Sequence, residues 1–172
     1  MPAIAIREVN RQNWRAALTL AVHPEQQRFI SDHTPIAAIA LAKAYVRPGG
    51  LTWLPYLICA DEQPIGLTVL AYDPGSGDNY WIYHFFIDRA HQGKGHSKPA
   101  LQAFVALIRA QHPACRQINL TVNPDNDRAR RLYASVGFQP TGEEMDGEPV
   151  YTLRTANHSQ REAIACKKQP SR

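Results

Sequence analysis

Cysteine is scarce: Cys59, Cys115 and Cys166 are the only three in 172 residues, widely spaced and without a Cys-x-x-Cys pair. An odd, scattered set argues against a disulfide framework and against a zinc site, and leaves Cys59 and Cys115 as small core residues. The seven histidines show neither His-x-x-x-His nor His-Glu-x-x-His spacing, so no metal is expected. No apolar run is long enough to cross a bilayer, and Met1 to Glu8 lacks the basic start, apolar stretch and cleavage site of a signal peptide. The expectation is a cytoplasmic protein with no membrane partner. Charge of one sign is also in short supply, with a formal net charge of only +4. Lys94, Lys98, Arg128, Arg130 and Arg131 are not organised by a helix-turn-helix, a finger or an RNA-binding aromatic signature, so no nucleic-acid partner is expected. Internal repeats and low-complexity blocks are missing too.

What is present suits one globular domain. The length allows a sizeable core without metal or disulfide staples, and 44% hydrophobic with 20% charged residues is ordinary soluble composition. Residues 1–154 carry the patterned segments. Residues 155–172 are polar, lack a convincing apolar face, and are expected to be loose or docked on a partner subunit.

The pattern predicts an α/β (α+β) fold with a mostly antiparallel central sheet flanked by helices. Ile4, Ile6 and Val9 read as a first strand, and Asn10 or Asn13 can cap a helix carrying Trp14, Ala17, Leu18 and Ala21. Pro24 and Thr34-Pro35 mark the first turns of two further helices, the second burying Ile36, Ile39, Ala40 and Ala44. A meander follows: a strand from Trp53 to Ala60, a turn at Asp61 to Pro64, a strand from Ile65 to Tyr72, a loop, and an aromatic strand from Tyr80 to Asp88. The next helix spaces Ala100, Leu101, Phe104, Val105 and Ile108 on one face and stops at His112-Pro113. Ile118, Leu120 and Val122 alternate as a strand, and a helix over about Asp127 to Ser135 ends at Gly137. Phe138 to Thr141 and Val150 to Leu153 form a hairpin around Asp146-Gly147.

The aromatic strand runs into Ile87-Asp88-Arg89-Ala90-His91-Gln92-Gly93-Lys94-Gly95-His96-Ser97-Lys98, a basic glycine turn that opens a helix. Such a junction presents helix-start N–H groups lacking intrahelical acceptors, and glycines let the backbone approach a phosphate. The spacing fails the Gly-x-x-x-x-Gly-Lys-Ser/Thr pattern. It also fails Gly-x-Gly-x-x-Gly, since Lys98 occupies the third glycine position and an antiparallel meander precedes it.

Gln92-Gly93-Lys94-Gly95-His96-Ser97 resembles the Gln/Arg-x-x-Gly-x-Gly/Ala signature of the GCN5-related N-acetyltransferases, the GNAT family. Asn126-x-x-Ala129-x-x-Leu132-Tyr133-x-x-x-Gly137-Phe138 resembles their second motif. The resemblance runs from about Ile4 to Leu153, with one departure: Ser97 stands where the family has glycine or alanine. Serine is small and caps helices well, so the loop is expected to survive. The resemblance implies a GNAT-type fold and transfer of an acetyl group from acetyl-CoA, as acyl-donor substrate, to a primary amine. It implies cofactor binding by the backbone of Phe86 and Ile87, by Gln92, Gly93, Lys94, Gly95, His96 and Ser97 at the pyrophosphate, and by Asn126 at the cofactor arm or a bound water. As basic side chains, Lys98, Arg128 and Arg131 could meet the cofactor phosphates, the alternative being plain solvation. Tyr133 would protonate the departing sulfur; a phenol near pKa 10 and a thiol near 8.5 are close enough in acidity for that step. His84 in the aromatic strand and Glu25 in the acceptor-lining segment are the candidate proton acceptors.

Glu25 to Ile30, Ile87 to Lys98 and Thr141 to Glu148 are similar to the bacterial diamine and polyamine branch of the family. For a polycationic acceptor, Glu25, Asp32, Glu143, Glu144, Asp146 and Glu148 would supply an acidic wall. An acceptor amine on a protein or peptide, and an acetyl-CoA-binding regulatory module without turnover, are the alternatives. A homodimer is what the family suggests.

Overall fold

The computed structural model describes residues 2–155. The chain forms β1 (Ile4–Glu8), α1 (Trp14–Thr19), a 3-10 helix (Pro24–Phe29) and α2 (Ile36–Val46) before entering the meander. There follow β2 (Thr52–Ala60), β3 (Gln63–Tyr72), β4 (Tyr80–Ile87), α3 (Ser97–Gln111), β5 (Gln117–Thr121), α4 (Asp127–Val136), β6 (Gln139–Met145) and β7 (Glu148–Arg154). The seven strands make one sheet in the order β1-β2-β3-β4-β5-β7-β6. Every neighbour pair is antiparallel except β4 and β5, which run parallel and share a single register pair, Trp81 with Asn119.

Helices cover both faces of the sheet. On one face α3 and α4 bury Ala100, Leu101, Phe104, Val105, Ile108 and Tyr133 against Tyr56, Ile58, Ile82, Ile118, Leu120, Tyr151 and Leu153. On the other, α1 and α2 bury Ala17, Ile36, Ala37 and Ala40 against Trp53, Leu57, Cys59, Leu67 and Val69. Cys59 and Cys115 are buried and free, as expected of small core residues.

The structure departs from the sequence reading in a few places. Pro24–Phe29 is a 3-10 helix, held by bonds such as Gln26 N–H to the His23 carbonyl at 2.9 Å. Six residues opened by a proline leave room for only one or two tight turns. In α2 Ala37 is fully buried while Ile39 and Ala44 are half-buried, because the helix is apolar nearly all round and its stripe alone does not fix its rotation. Val122 lies just past β5, its N–H donating to the Pro149 carbonyl at 3.3 Å. At the polar tail, Thr155 is buried and donates its N–H to the Arg116 carbonyl; residues 156–172 lie outside the described residues.

Candidate active site

The site forms where β4 and β5 part. Beyond Trp81 the two strands have no further register pair, so β4 backbone on that side faces a gap instead of a ladder partner. A bulge re-aims the strand here: His84 has φ 51, and the β3–β4 register shifts between Leu67 and Val69. Tyr80 and Ile82 face the α3 side before the bulge, and Phe85 and Ile87 face it afterwards. One extra residue has flipped the alternation. Gly66 makes room for this geometry, since a Cβ there would stand 2.3 Å from the Phe86 carbonyl oxygen.

A cavity of about 640 Å³ opens on the gap. Val22, Phe29 and Ile30 give it an apolar wall, and Phe85, Phe86 and Ile87 of β4 give it a floor. Gln92, Gly93, Gly95, His96, Ser97 and Lys98 line it from the glycine turn, and Asn126, Arg128, Arg131 and Tyr133 from the α4 side. Ten of the eleven residues expected to bind cofactor therefore share one wall system with Tyr133. Lys94 is the exception: its ammonium turns back to the Ala90 carbonyl at 3.0 Å.

The turn is built for close approach. Gly93 and Gly95 have φ 77 and 81, which side-chain-bearing residues rarely adopt, and open space surrounds the Gly93 Cβ position. The turn delivers the chain to the N-terminus of the 15-residue α3. His96, not Ser97, holds the cap position; its backbone is already helical (φ −72, ψ −26) and its carbonyl accepts from Ala100 N–H. No side-chain capping bond forms, and Ser97 lies in the first turn of α3, where it lines the cavity. The His96 Nδ1 is buried without a hydrogen-bond partner among the described residues.

Gln26, Asp88 and Gly66, which shape this end of the site, carried little sequence signal. Gln92 donates to the Gln26 Oε1 at 2.8 Å and to the Ile87 carbonyl at 2.9 Å, while Gln26 donates back to the Gln92 Oε1 at 3.0 Å. Asp88 accepts from Ala90 N–H at 2.9 Å through one oxygen and from Ala21 N–H at 2.8 Å through the other, tying the end of β4 to the segment after α1. Gly66 could have been noticed as a glycine inside a strand pattern. Gln26 could not, because its partner lies 66 residues away.

Tyr133 is only 8% exposed, and its ring meets Phe138 edge-on at 6.0 Å between centroids. Burial pushes its phenol well above the ordinary value, and the charge of Glu148 adds to the shift. Asn126 caps α4, its Oδ1 accepting from Ala129 N–H at 3.1 Å. That leaves its amide nitrogen as the donor able to serve a ligand.

The two expected proton acceptors stand off the cavity wall. Glu25 is exposed on the 3-10 helix, whose cavity-facing side chains are Gln26 and Phe29. His84 places Nδ1 2.8 Å from the Ile30 carbonyl and Nε2 3.3 Å from Lys43 Nζ. A carbonyl only accepts, so Nδ1 carries the proton and Nε2 receives from lysine. Burial holds the His84 imidazole below its usual range, with the Lys43 charge acting the same way against the Ile30 bond. The Lys43 ammonium itself, lowered by burial, lies 5.0 Å from the Trp53 ring centroid and 5.5 Å from that of Tyr83. Of the six acidic candidates, Glu25, Asp32, Glu143, Glu144 and Asp146 are exposed, and Glu148 is half-buried. No group of three or more metal-ligating side chains occurs among the described residues. Nor is any described helix long and apolar enough to cross a membrane.

Known proteins share this sequence pattern and this fold. The model of the acetyltransferase (GNAT) family matches residues 25–138. The chain is 32% identical over 149 residues to a spermine/spermidine N(1)-acetyltransferase of Bacillus subtilis (strain 168), covering 86% of this chain and 96% of that protein. Among solved structures, an aminoglycoside acetyltransferase in complex with coenzyme A superposes with a TM-score of 0.71 at 18% identity, over 93% of this chain and 99% of that one. A spermidine N-acetyltransferase from Vibrio cholerae in complex with CoA and spermine gives 0.67 at 16%, over 90% and 96%.

Proposed function

The chain belongs to the acetyltransferase (GNAT) family, and from that premise we propose that it acetylates a primary amine of a small alkyl diamine or polyamine, with Tyr133 as general acid. The observation that carries this reading is the convergence of the glycine turn, the freed end of β4 and Tyr133 on one cavity. When bound, acetyl-CoA supplies a thioester whose carbonyl carbon is the electrophile.

The residues present suit such a donor. Gly93 leaves open space, the first-turn N–H groups of α3 lack intrahelical acceptors, and the buried His96 Nδ1 awaits a partner. The turn and α3 would hold the pyrophosphate through main-chain N–H groups, with Lys98 and Arg131 adding positive charge. Asn126 would donate its amide N–H to the cofactor arm. Backbone of Phe86 and Ile87 would orient the acyl group and polarise its carbonyl, a role that fixed dipoles perform well where water is excluded.

Tyr133 would give its phenolic proton to sulfur as the C–S bond breaks. Its raised proton affinity keeps it protonated at neutral pH, and the burial that disfavours phenolate disfavours a neighbouring thiolate as well. The acceptor nitrogen must shed two protons, of which one restores Tyr133 and the other leaves to solvent. His84 and Glu25 are candidate acceptors of that second proton; for His84, Nε2 would first have to leave Lys43, while the Nδ1–H bond to the Ile30 carbonyl could stay.

The likeness to a spermine/spermidine N(1)-acetyltransferase over 86% of the chain supports a polyamine acceptor. The test is a screen for thiol release from acetyl-CoA. Turnover with spermidine or putrescine, and none with aminoglycosides, peptides or amino acids, is the expected result. Turnover confined to a peptide or aminoglycoside would overturn the acceptor assignment. Tight acetyl-CoA binding without thiol release across the whole panel would replace the enzyme with a regulatory module.

A further inference from the structure

A carboxylate beside the gap lies on β7, a strand that, like Glu148 itself, contributes nothing to the cavity wall. Asp146 and Gly147 both have positive φ (52 and 80), the geometry of a two-residue hairpin turn, which makes Glu148 the first residue of β7, paired with Met145. That register decides which way Glu148 faces. Tyr151 and Leu153 of β7 pack on the α3 side, together with Leu120 and Ile118, to which they are paired. By the two-residue period of a strand, Glu148 and Val150 take the opposite face, and Val150 pairs with Thr121. The contact agrees: Thr121 Oγ1 donates to the Glu148 Oε2 at 2.8 Å.

Thr121 is the last residue of β5, two beyond Asn119, where β5 and β4 pair for the only time. Glu148 is thus tethered to the β5 side of the gap on the face away from α3 and α4, while Tyr133 reaches the gap from α4 on the other face. Its charge adds to the raised proton affinity of the Tyr133 phenol. The carboxylate is half-buried, has the Thr121 hydroxyl as its hydrogen-bond donor, and enters no ion pair among the described residues. The Glu148 charge acts on Tyr133 from α4, and the Asp146 charge acts on Tyr83 of β4. A carboxylate so placed, short of a cation, favours an alkylammonium.

We propose that Glu148 receives the acceptor ammonium and takes its proton, from the face of the sheet opposite the proton donor Tyr133. Resting on the acetyltransfer reading, the step balances. Glu148 accepts one N–H proton, the freed nitrogen lone pair forms the C–N bond, the C–S electron pair leaves on sulfur, and Tyr133 protonates it. The second N–H proton returns to Tyr133, and the first passes from Glu148 to solvent.

The experiment compares wild type, Glu148→Gln and Glu148→Asp with spermidine as acceptor, across pH, alongside acetyl-CoA binding by calorimetry. Glutamine keeps the acceptor for Thr121 but cannot take the proton. Its kcat/KM for spermidine is expected to fall about 100-fold at neutral pH. The deficit should narrow toward the pKa of an alkylammonium, about 10.4, because solution then delivers free amine. Acetyl-CoA affinity should stay within about twofold and Glu148→Asp should recover part of the rate, as a positioned carboxylate predicts. A Glu148→Gln rate within about threefold of an active wild type overturns the role, as does a loss equal at every pH, since a general base should be worth far more. A wild type silent with every amine overturns it together with the acetyltransfer reading, and so is distinct from those two results.

Discussion

Gln26 and Gln92 face each other as a reciprocal amide pair, with Nε2 to Oε1 distances of 3.0 and 2.8 Å, and so bind the 3-10 helix to the glycine turn. The Gln92 amide also reaches the Ile87 carbonyl at 2.9 Å, so one side chain fixes both the end of β4 and the start of the turn. A loop held in place before its ligand arrives loses less freedom on binding. The signature glutamine is thereby a brace for the turn as well as a cavity wall.

Gln26→Ala tests that brace without touching the signature residue. Each neutral hydrogen bond is worth about 1 kcal/mol, so loosening the turn should weaken acetyl-CoA binding about fivefold to tenfold. Calorimetric titration of acetyl-CoA reads this directly. Wild-type affinity in the variant would show that the turn keeps its shape unaided.

Tyr133→Phe should separate chemistry from binding. The edge-on contact with Phe138 survives the change, so packing is retained while the proton is lost. Removing a general acid predicts a fall in kcat of about 100-fold, with acetyl-CoA affinity unchanged. Rates of thiol release at saturating acetyl-CoA measure it, and an unaltered kcat removes Tyr133 from the mechanism.

Gly66→Ala should injure the site from outside it. The new Cβ would meet the Phe86 carbonyl oxygen at 2.3 Å and the Ile87 Cα at 3.2 Å, both backbone atoms that cannot swing aside. The end of β4 must move, at a cost of about 1–3 kcal/mol typical of overpacking. Thermal denaturation should show the lower Tm and thiol release a lower kcat. Wild-type values for both would mean that β4 yields without consequence.

The elements legible in the sequence are those whose signal is local. The stripe Ala100, Leu101, Phe104, Val105 and Ile108 is fully buried as its spacing demands, and Asp146-Gly147 makes the hairpin its turn chemistry calls for. The glycine turn and the Asn126 to Phe138 segment were equally readable as motifs, and they meet in one cavity. What stayed hidden depends on distant partners. The φ of 51 at His84 arises from how β4 meets β3, and nothing in Tyr83-His84-Phe85 announces it. The Gln26 amide and the Thr121 tether of Glu148 likewise join segments that only the folded sheet brings together. Cap identity failed for a nearer reason: Ser97 is the better capping residue, yet the turn reaches helical geometry one residue earlier, at His96.

The His84 clamp makes stability depend on mild acid. Its Nδ1–H serves the Ile30 carbonyl and its Nε2 accepts from Lys43, so the folded protein needs the neutral ring. Burial depresses its proton affinity below the ordinary 6.5, so between the folded and unfolded values the unfolded chain binds more protons. Stability from this group is full above about 6.5 and drains away as pH falls through that value toward the lower folded one. His112, also lowered by burial, contributes a slope of the same sign. His84→Asn removes one titrating ring while tolerating the positive φ at this position, which asparagine adopts more readily than most residues. Urea unfolding midpoints between pH 5 and 7.5 should therefore vary less steeply in His84→Asn than in wild type, with the residual slope from His112. An unchanged slope would mean that the His84 ring is free to protonate in the folded protein, and that Lys43 and Ile30 do not hold it.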